Sequence, residues 1–409
     1  MNNLLSKLKS MGLITTSKGI KPPAPKNIQL TNVFDGSWIE TNFGRVFSII
    51  QEYAFGESHG KITFVKDSSS DIFANYLNFS PFEEGRKIVF LDIETSNLSI
   101  DAGSFVFLIG LCYYTPTGLE TNLLFIESPA DEIALLLVLE ERISRFSTVG
   151  SYNGKSFDIP FLKNRAIFHK LPFTFTKLFH TDFLHVSRSI WKMRINSCKL
   201  SDIEKEILSV SRSNEEIPGW LVPQIYFDFI DQKDPEILKG VFYHNRIDVL
   251  SLAALYQHIK QNFSLASYLE DQNSSDFASL GHHFHKNKRF DLSFDFYQKA
   301  FHLGLDPKQA SFLIRDYAIL NKKHNRWGEA IKYFKIAAKN EDWQSCIELS
   351  KYYEHVAKDF TRAIKWSKHG LKIIYDHKFE GDREKIRLRL NHRVKRLNRK
   401  AGKYETHQS

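Results

Sequence analysis

The chain is 409 residues long, 42% hydrophobic and 25% charged, too long for one core of ~100 to 200 residues and too apolar for a disordered polymer. Its three cysteines, Cys112, Cys198 and Cys346, stand too far apart for a disulfide framework or a Cys-x-x-Cys metal site. No uninterrupted apolar run approaches the ~18 to 20 residues of a membrane span, so a cytoplasmic protein with free thiols is expected. The net charge of +9 is uneven, with 16 Lys and Arg against 5 Asp and Glu between Ala357 and Tyr404. A polyanionic partner would explain that patch, and so would a solvated closing helix.

Residues 1 to 27 end in Lys21-Pro22-Pro23-Ala24-Pro25, whose prolines favour an extended arm. The β-prone runs 45–50 and 61–65 flank a turn-rich segment, predicting a hairpin beside the main domain. Residues 1–86 are thus expected to form an arm and a β-hairpin extension. Strands and helices alternate from 87 to 263, with strands expected at 88–93, 105–114, 123–126 and 148–152. The first three lie too close for crossover helices and should form an antiparallel meander. The amphipathic helix over 130–146 should then lead to a fourth strand, parallel to the first. Residues 264–275 read as a linker and 276–409 as helical repeats with a basic last helix.

In Ile88-Val89-Phe90-Leu91-Asp92-Ile93-Glu94 the strand period of two puts Ile88, Phe90, Asp92 and Glu94 on one face and Val89, Leu91 and Ile93 on the other. A strand buried on both faces then ends in two carboxylates pointing the same way, which repulsion and desolvation oppose unless a hard cation lies between them. Asn153-x-x-x-Phe157-Asp158 fixes an amide, a ring and a carboxylate around a strand-to-helix turn. Further on, His244 and Asp248 lie one helical turn apart on one face. Each motif alone also has a structural reading: a solvent-facing strand end, a helix cap, a helix with two polar residues near its end.

Their order resembles the three motifs of the DEDD (DnaQ-like) exonuclease superfamily, and most of all its YprB-type branch. Thr181-Asp182-Phe183-Leu184-His185, the stretch from Ser197 to Glu204, and Ile217-Pro218-Gly219 add to the likeness. The resemblance implies an α/β RNase H-like exonuclease domain, a mixed sheet flanked by helices. It implies that Asp92, Glu94, Asp158 and Asp248 hold two Mg²⁺ or Mn²⁺ ions, and that His244 assists an attacking water. Asn153 and Phe157 would shape the pocket, and a nucleoside 5′-monophosphate would leave a single-stranded 3′ end. One departure stands out. The usual subtypes have a tyrosine separated from the last aspartate by three residues or a histidine separated by four, whereas His244 takes the shorter separation and Tyr243 the longer. Tyr243 points about 140° away from Asp248 around a helix, which favours His244.

Arg188, Trp191, Lys192, Arg194 and Lys199 combine charge with a stacking surface for nucleic acid, or equally form a solvated helix face with a core tryptophan. Ser201-x-x-Glu204 reads as a capping box, with Ile203 and Ile207 inward. In the last third, Leu280-Gly281-x-x-Phe284 with Phe290, Tyr297 and Ala300 is followed by Trp327, Ala330, Phe334 and Ala337, then by Phe360, Ala363, Ser367 and Gly370. The equivalent positions Ser293, Ala330 and Ala363 are 37 and 33 apart. This resembles tetratricopeptide repeats and implies an all-α solenoid, a site for a protein partner. Two functions are in view: a two-metal-ion 3′–5′ exonuclease acting on single-stranded nucleic acid ends, or a nuclease-derived, nucleic-acid-binding adaptor that recruits partners through its repeats.

Overall fold

The alternation in Ile88–Thr95 does build a central strand. The computed structural model of the chain describes residues 28–66, 87–97, 99, 103–262, 273–306, 311–375 and 382–405; the arm expected over 1–27 and most of the expected linker lie outside them. The described residues divide into two compact units, 28–185 with 199–262, and 186–198 with 273–405.

The first unit is built on a mixed sheet. Its strands are β1 (Ser37–Thr41), β2 (Gly44–Ala54), β5 (Ile88–Thr95), β6 (Val106–Tyr114), β7 (Gly118–Phe125), β8 (Thr148–Ser151) and β9 (Phe179–Asp182), with β3 (Ser58–His59) and β4 (Ile62–Thr63) forming a separate small hairpin. The sheet runs β1-β2-β7-β6-β5-β8-β9. β5, β6 and β7 form the expected antiparallel meander, and β8 lies parallel to β5. The hairpin expectation needs correction. Residues 45–50 lie in β2, which joins the main sheet antiparallel to β7, from Phe47 opposite Phe125 to Ala54 opposite Gly118. Val46, Phe47 and Ile49 are all buried, so this strand needs cover on both faces, which a peripheral hairpin lacks. The β9 strand parallel to β8 was not anticipated, its four residues being too few to show alternation.

Helices α1 (Glu132–Ile143), α2 (Asp158–Phe168), α3 (Phe183–Trp191), α4 (Leu200–Ile203), α5 (Val222–Gln232) and α6 (Lys239–Asn262) complete this part of the chain. One face of β5 gives Val89, Leu91 and Ile93 to a core that also holds Phe107, Phe125 and Tyr226, with Phe107 and Tyr226 stacked at 4.0 Å. On the other face Phe90 meets Tyr256 of α6 and Phe183. Both faces are therefore buried, and the strand's carboxylates emerge where that cover ends.

The second unit continues as α7 (Ser274–Lys286), α8 (Phe290–His302), α9 (Ser311–Lys323), α10 (Trp327–Lys339), α11 (Trp343–His355), α12 (Phe360–Tyr375) and α13 (Arg383–Glu405). Two of the pairs meet through a glycine: Gly281 of α7 lies against the Tyr297 ring of α8, and Gly370 of α12 against Cys346 of α11. Ser293, Ala330 and Ala363 are fully buried. α13 is held by Leu390 and Leu397 and by Glu354 of α11, whose buried carboxylate accepts from Arg393, Arg396 and Lys400 at 2.7–2.8 Å. Among the described residues no helix is long and apolar enough to cross a membrane.

Candidate active site

Asp92 and Glu94 leave β5 on the face that meets α6. Opposite Asp92 on β6 stands Gly110, where a Cβ would lie 2.2 Å from Asn245 Oδ1. The missing side chain makes room for Asn245, whose Nδ2 donates to Asp92 Oδ2 at 2.8 Å. Asp158 opens α2 after a tight turn: Asn153 is left-handed at φ +64°, and a Cβ on Gly154 would lie 2.1 Å from Ser151 Oγ and 2.7 Å from Asp158 Oδ2. Buried Asp182 on β9 ties that turn down, accepting from the amides of Asn153 at 2.9 Å, Lys155 at 3.1 Å and Leu184 at 3.0 Å. At the other end of α2, Arg165 forks onto buried Glu132 of α1, with contacts of 2.6–3.1 Å. Glu132 also takes the Val106 amide at 2.9 Å and His169 Nε2 at 2.6 Å. The pose of the Asp158 helix is thus locked to the start of β6 through a charge pair.

The four carboxylates repel one another. Burial, then Asp248, Glu94 and Asp158, pushes Asp92 well above the usual carboxylate range. Burial, then Asp248, Asp158 and Glu216, does the same to Glu94. Burial, Asp182 and Asp248 push Asp158 up to about 8. Asp248 is also raised by burial, against the pull of Arg212 and His244. The Glu94 and Asp248 side chains are only 13% and 15% exposed, so they face little water but remain reachable.

Arg212 had no role in the sequence reading. Its guanidinium forks onto buried Glu204 at 2.7 Å twice, while Nη2 donates to Asp248 Oδ1 and Nη1 to Glu216 Oε1 at 2.8 Å. Glu204 is fixed in turn by Ser251 Oγ at 2.6 Å, and Ser251 meets His59 Nε2 at 2.8 Å. The capping-box reading of Glu204 is therefore corrected. Helix α4 has no side-chain cap, because burial commits this carboxylate to an arginine from a loop that spacing alone did not bring near. Ile203 and Ile207 do point inward.

His244 Nδ1 lies 2.8 Å from Glu216 Oε1. Arg212 Nη1 also lies 3.2 Å from Nδ1, but the shorter contact is to a carboxylate, which only accepts, so the proton is assigned to Nδ1 and a neutral ring keeps Nε2 as acceptor. Nε2 faces the carboxylates, 4.0 Å from Glu94 Oε1 and 3.8 Å from Asp248 Oδ2. Tyr243 is engaged elsewhere, its hydroxyl accepting from the Ser213 amide at 2.7 Å.

Chemically the set suits a hard divalent cation: oxygen donors, mutual repulsion and little water. As arranged, no group of three or more His, Cys, Asp or Glu among the described residues is gathered closely enough to hold an ion. Asp248 turns to Arg212 instead, and Asp92 to Asn245.

Residues 89–260 match the model of the RNase_H_2 family, in the RNase H superfamily. The protein YprB of Bacillus subtilis (strain 168) is 32% identical over 320 residues, 76% of this chain and 75% of that one. This chain belongs to the YprB family. The matched segment contains every residue of the cluster, from Asp92 to Asp248. A family B DNA polymerase from the archaeon Pyrobaculum calidifontis is 13% identical with a TM-score of 0.35, covering 68% of this chain and 34% of its own. At that score the likeness carries no argument, and the chain spans about a third of that polymerase.

Not every expected residue of this YprB-family chain joins the cluster. Asn153 and Phe157 flank the Asp158 turn, with Phe157 packed on Phe161 at 5.6 Å. Arg188 and Lys192 are exposed, in the unit that holds residues 186–198. Trp191 is a correction: it is fully buried and cannot stack on a base, because α3 uses it to fill a core. Of the residues missed, Asn245 stood beside a quoted motif, and Asp182 and Glu204 lay inside quoted segments. Arg212 and Glu216 carried no signal in the spacing.

Proposed function

We propose that this protein is a metal-dependent phosphodiesterase, a 3′–5′ exonuclease that removes nucleoside 5′-monophosphates from single-stranded nucleic acid. The observation that carries this reading is the set of four carboxylates on β5, α2 and α6, Asp158 buried and Asp92, Glu94 and Asp248 half-buried, with Glu94 and Asp248 4.0 and 3.8 Å from the acceptor nitrogen of His244. Asp92, Glu94, Asp158 and Asp248 would hold one or two Mg²⁺ or Mn²⁺ ions, which when bound supply an activated water and neutralise charge on the phosphate. For its part, His244 takes the water's proton at Nε2 while Glu216 keeps Nδ1 protonated and the ring in place. Asn245 holds Asp92 in one rotamer, and Asp182 holds the turn that presents Asp158.

One observation favours a second reading. Arg212 already neutralises Asp248, as would suit a nuclease-derived adaptor that binds strands without cutting them and recruits partners through tetratricopeptide-like helix pairs. The test is degradation of end-labelled single-stranded DNA and RNA in Mg²⁺ or Mn²⁺, with Asp92→Asn as control. The hydrolase reading requires 5′-monophosphate products from the wild type and at least a ~10²-fold loss in the variant. Binding without cleavage in either metal supports the adaptor, and equal cleavage by both proteins overturns the site.

A further inference from the structure

A single strand offers two things to recognise, phosphates and the faces of its unpaired bases, and the cluster around Asp92 addresses only the first. A base needs a flat apolar surface that is open to solvent yet close to the reacting groups. Trp191, the tryptophan expected to supply it, lies in a core. The described residues present another tryptophan with the opposite placement.

Pro218 starts a short 3-10 turn, Gly219–Leu221, that leads into α5. Ile217 anchors the segment, half-buried against the main core and over Gly240 of α6. The turn passes beside the imidazole: a Cβ on Gly219 would lie 3.5 Å from His244 Nε2 and 3.8 Å from Cε1. A side chain at this position would lie in van der Waals contact with the acceptor nitrogen, and glycine leaves that contact unmade. The next residue is Trp220, 75% exposed, more than any other large hydrophobic side chain among the described residues. An indole left in water forgoes the hydrophobic stabilisation that burial gives a large apolar side chain. The backbone beneath it is held by Ile217 and α5, so the ring stands on a fixed support and not on a loose loop.

We propose that Trp220 is a base-stacking residue of the active site, receiving an unpaired nucleobase of the strand whose terminal phosphodiester faces His244. The proposal rests on the reading of this site as a nuclease for single strands. It makes the preference for unpaired ends a property of one side chain: a base held in a duplex has no free face for the indole. Stacking on any base is similar in kind, so Trp220 confers strand form and not sequence.

The experiment uses the full-length protein with Ca²⁺ in place of Mg²⁺ and Mn²⁺, and fluorescent eight-nucleotide strands, either intact or abasic at the two 3′-terminal positions. Anisotropy gives affinity, and indole quenching reports stacking directly. Trp220→Ala is expected to bind the intact strand about 5- to 100-fold more weakly, Trp220→Phe to recover most of that loss, and the abasic strand to bind wild type and Trp220→Ala alike. Three outcomes overturn the proposal: Trp220→Ala binds the intact strand as tightly as wild type, it loses affinity equally for intact and abasic strands, or Trp220→Phe is as weak as Trp220→Ala. A wild type that binds no strand rejects the nucleic-acid reading itself. A stacking cycle that behaves as expected in a protein without hydrolytic activity would remove only the hydrolase.

Discussion

Glu216 and Asn245 act on groups inside the cluster rather than on a substrate, and their loss has a distinct signature. Glu216→Gln keeps the shape but can offer its amide N–H₂ to Nδ1, which favours the wrong tautomer of His244. The expected result is a fall of ~10- to 100-fold in kcat with KM little changed, while thermal stabilisation by Mn²⁺ persists. A variant as fast as wild type would show that His244 needs no partner. Gly110→Ala tests the other side. Its Cβ would fall within 2.2 Å of Asn245 Oδ1, so Asn245 must move and release Asp92. A stability loss of about 1–3 kcal/mol should accompany weaker Mn²⁺ binding in calorimetry. These roles could not be read in one dimension: residues 92, 110 and 245 meet only once the β5–β6 register and the α6 crossing are set.

At the scale of elements, the Asp158 helix depends on a charge pair at its far end. Arg165 and Glu132 have side chains 8% and 2% exposed, so removing one partner leaves a buried charge unpaired. Glu132→Gln is expected to cost about 3–5 kcal/mol, read as a lower urea midpoint. It should also blunt activity by letting α2 shift against β6. The strands β5 to β8 were legible in the sequence because both faces of β5 are apolar and the gaps between strands are short. β2 was misplaced because its turn-rich neighbour suggested a local partner, whereas burial of Val46, Phe47 and Ile49 demanded a distant one in β7.

For the whole molecule, pH and salt report on different parts. Burial pushes His59 and His180 down to about 4. Unfolded histidines bind their proton near ~6.5, so between those values the unfolded chain holds more protons. Stability present above pH 6.5 is therefore lost as pH falls toward 4, by on the order of 1–3 kcal/mol for His59. Urea midpoints from pH 7 to 4.5 should fall, and His59→Gln should flatten part of that slope. On α13, Arg393 and Arg396 serve Glu354 and Arg387 serves Glu384. Arg389, Lys395 and Arg399 are exposed with no carboxylate partner among the described residues. If the basic helix holds a strand, changing those three to Gln should flatten the slope of log affinity against log salt by ~0.7 per lost contact. Arg393→Gln should instead destabilise the helical unit. Sequence alone carried the meander, the paired carboxylates of β5, the His244–Asp248 face and the helix pairs, because each is written at short range as a period of two or 3.6 or as a fixed motif. Only the tertiary structure decided that Arg212 bridges Glu204, Glu216 and Asp248, that Asn245 fills the space beside Gly110, and that Trp191 is buried while Trp220 is not. Those outcomes depend on which distant segments share a core, and spacing along the chain does not encode that.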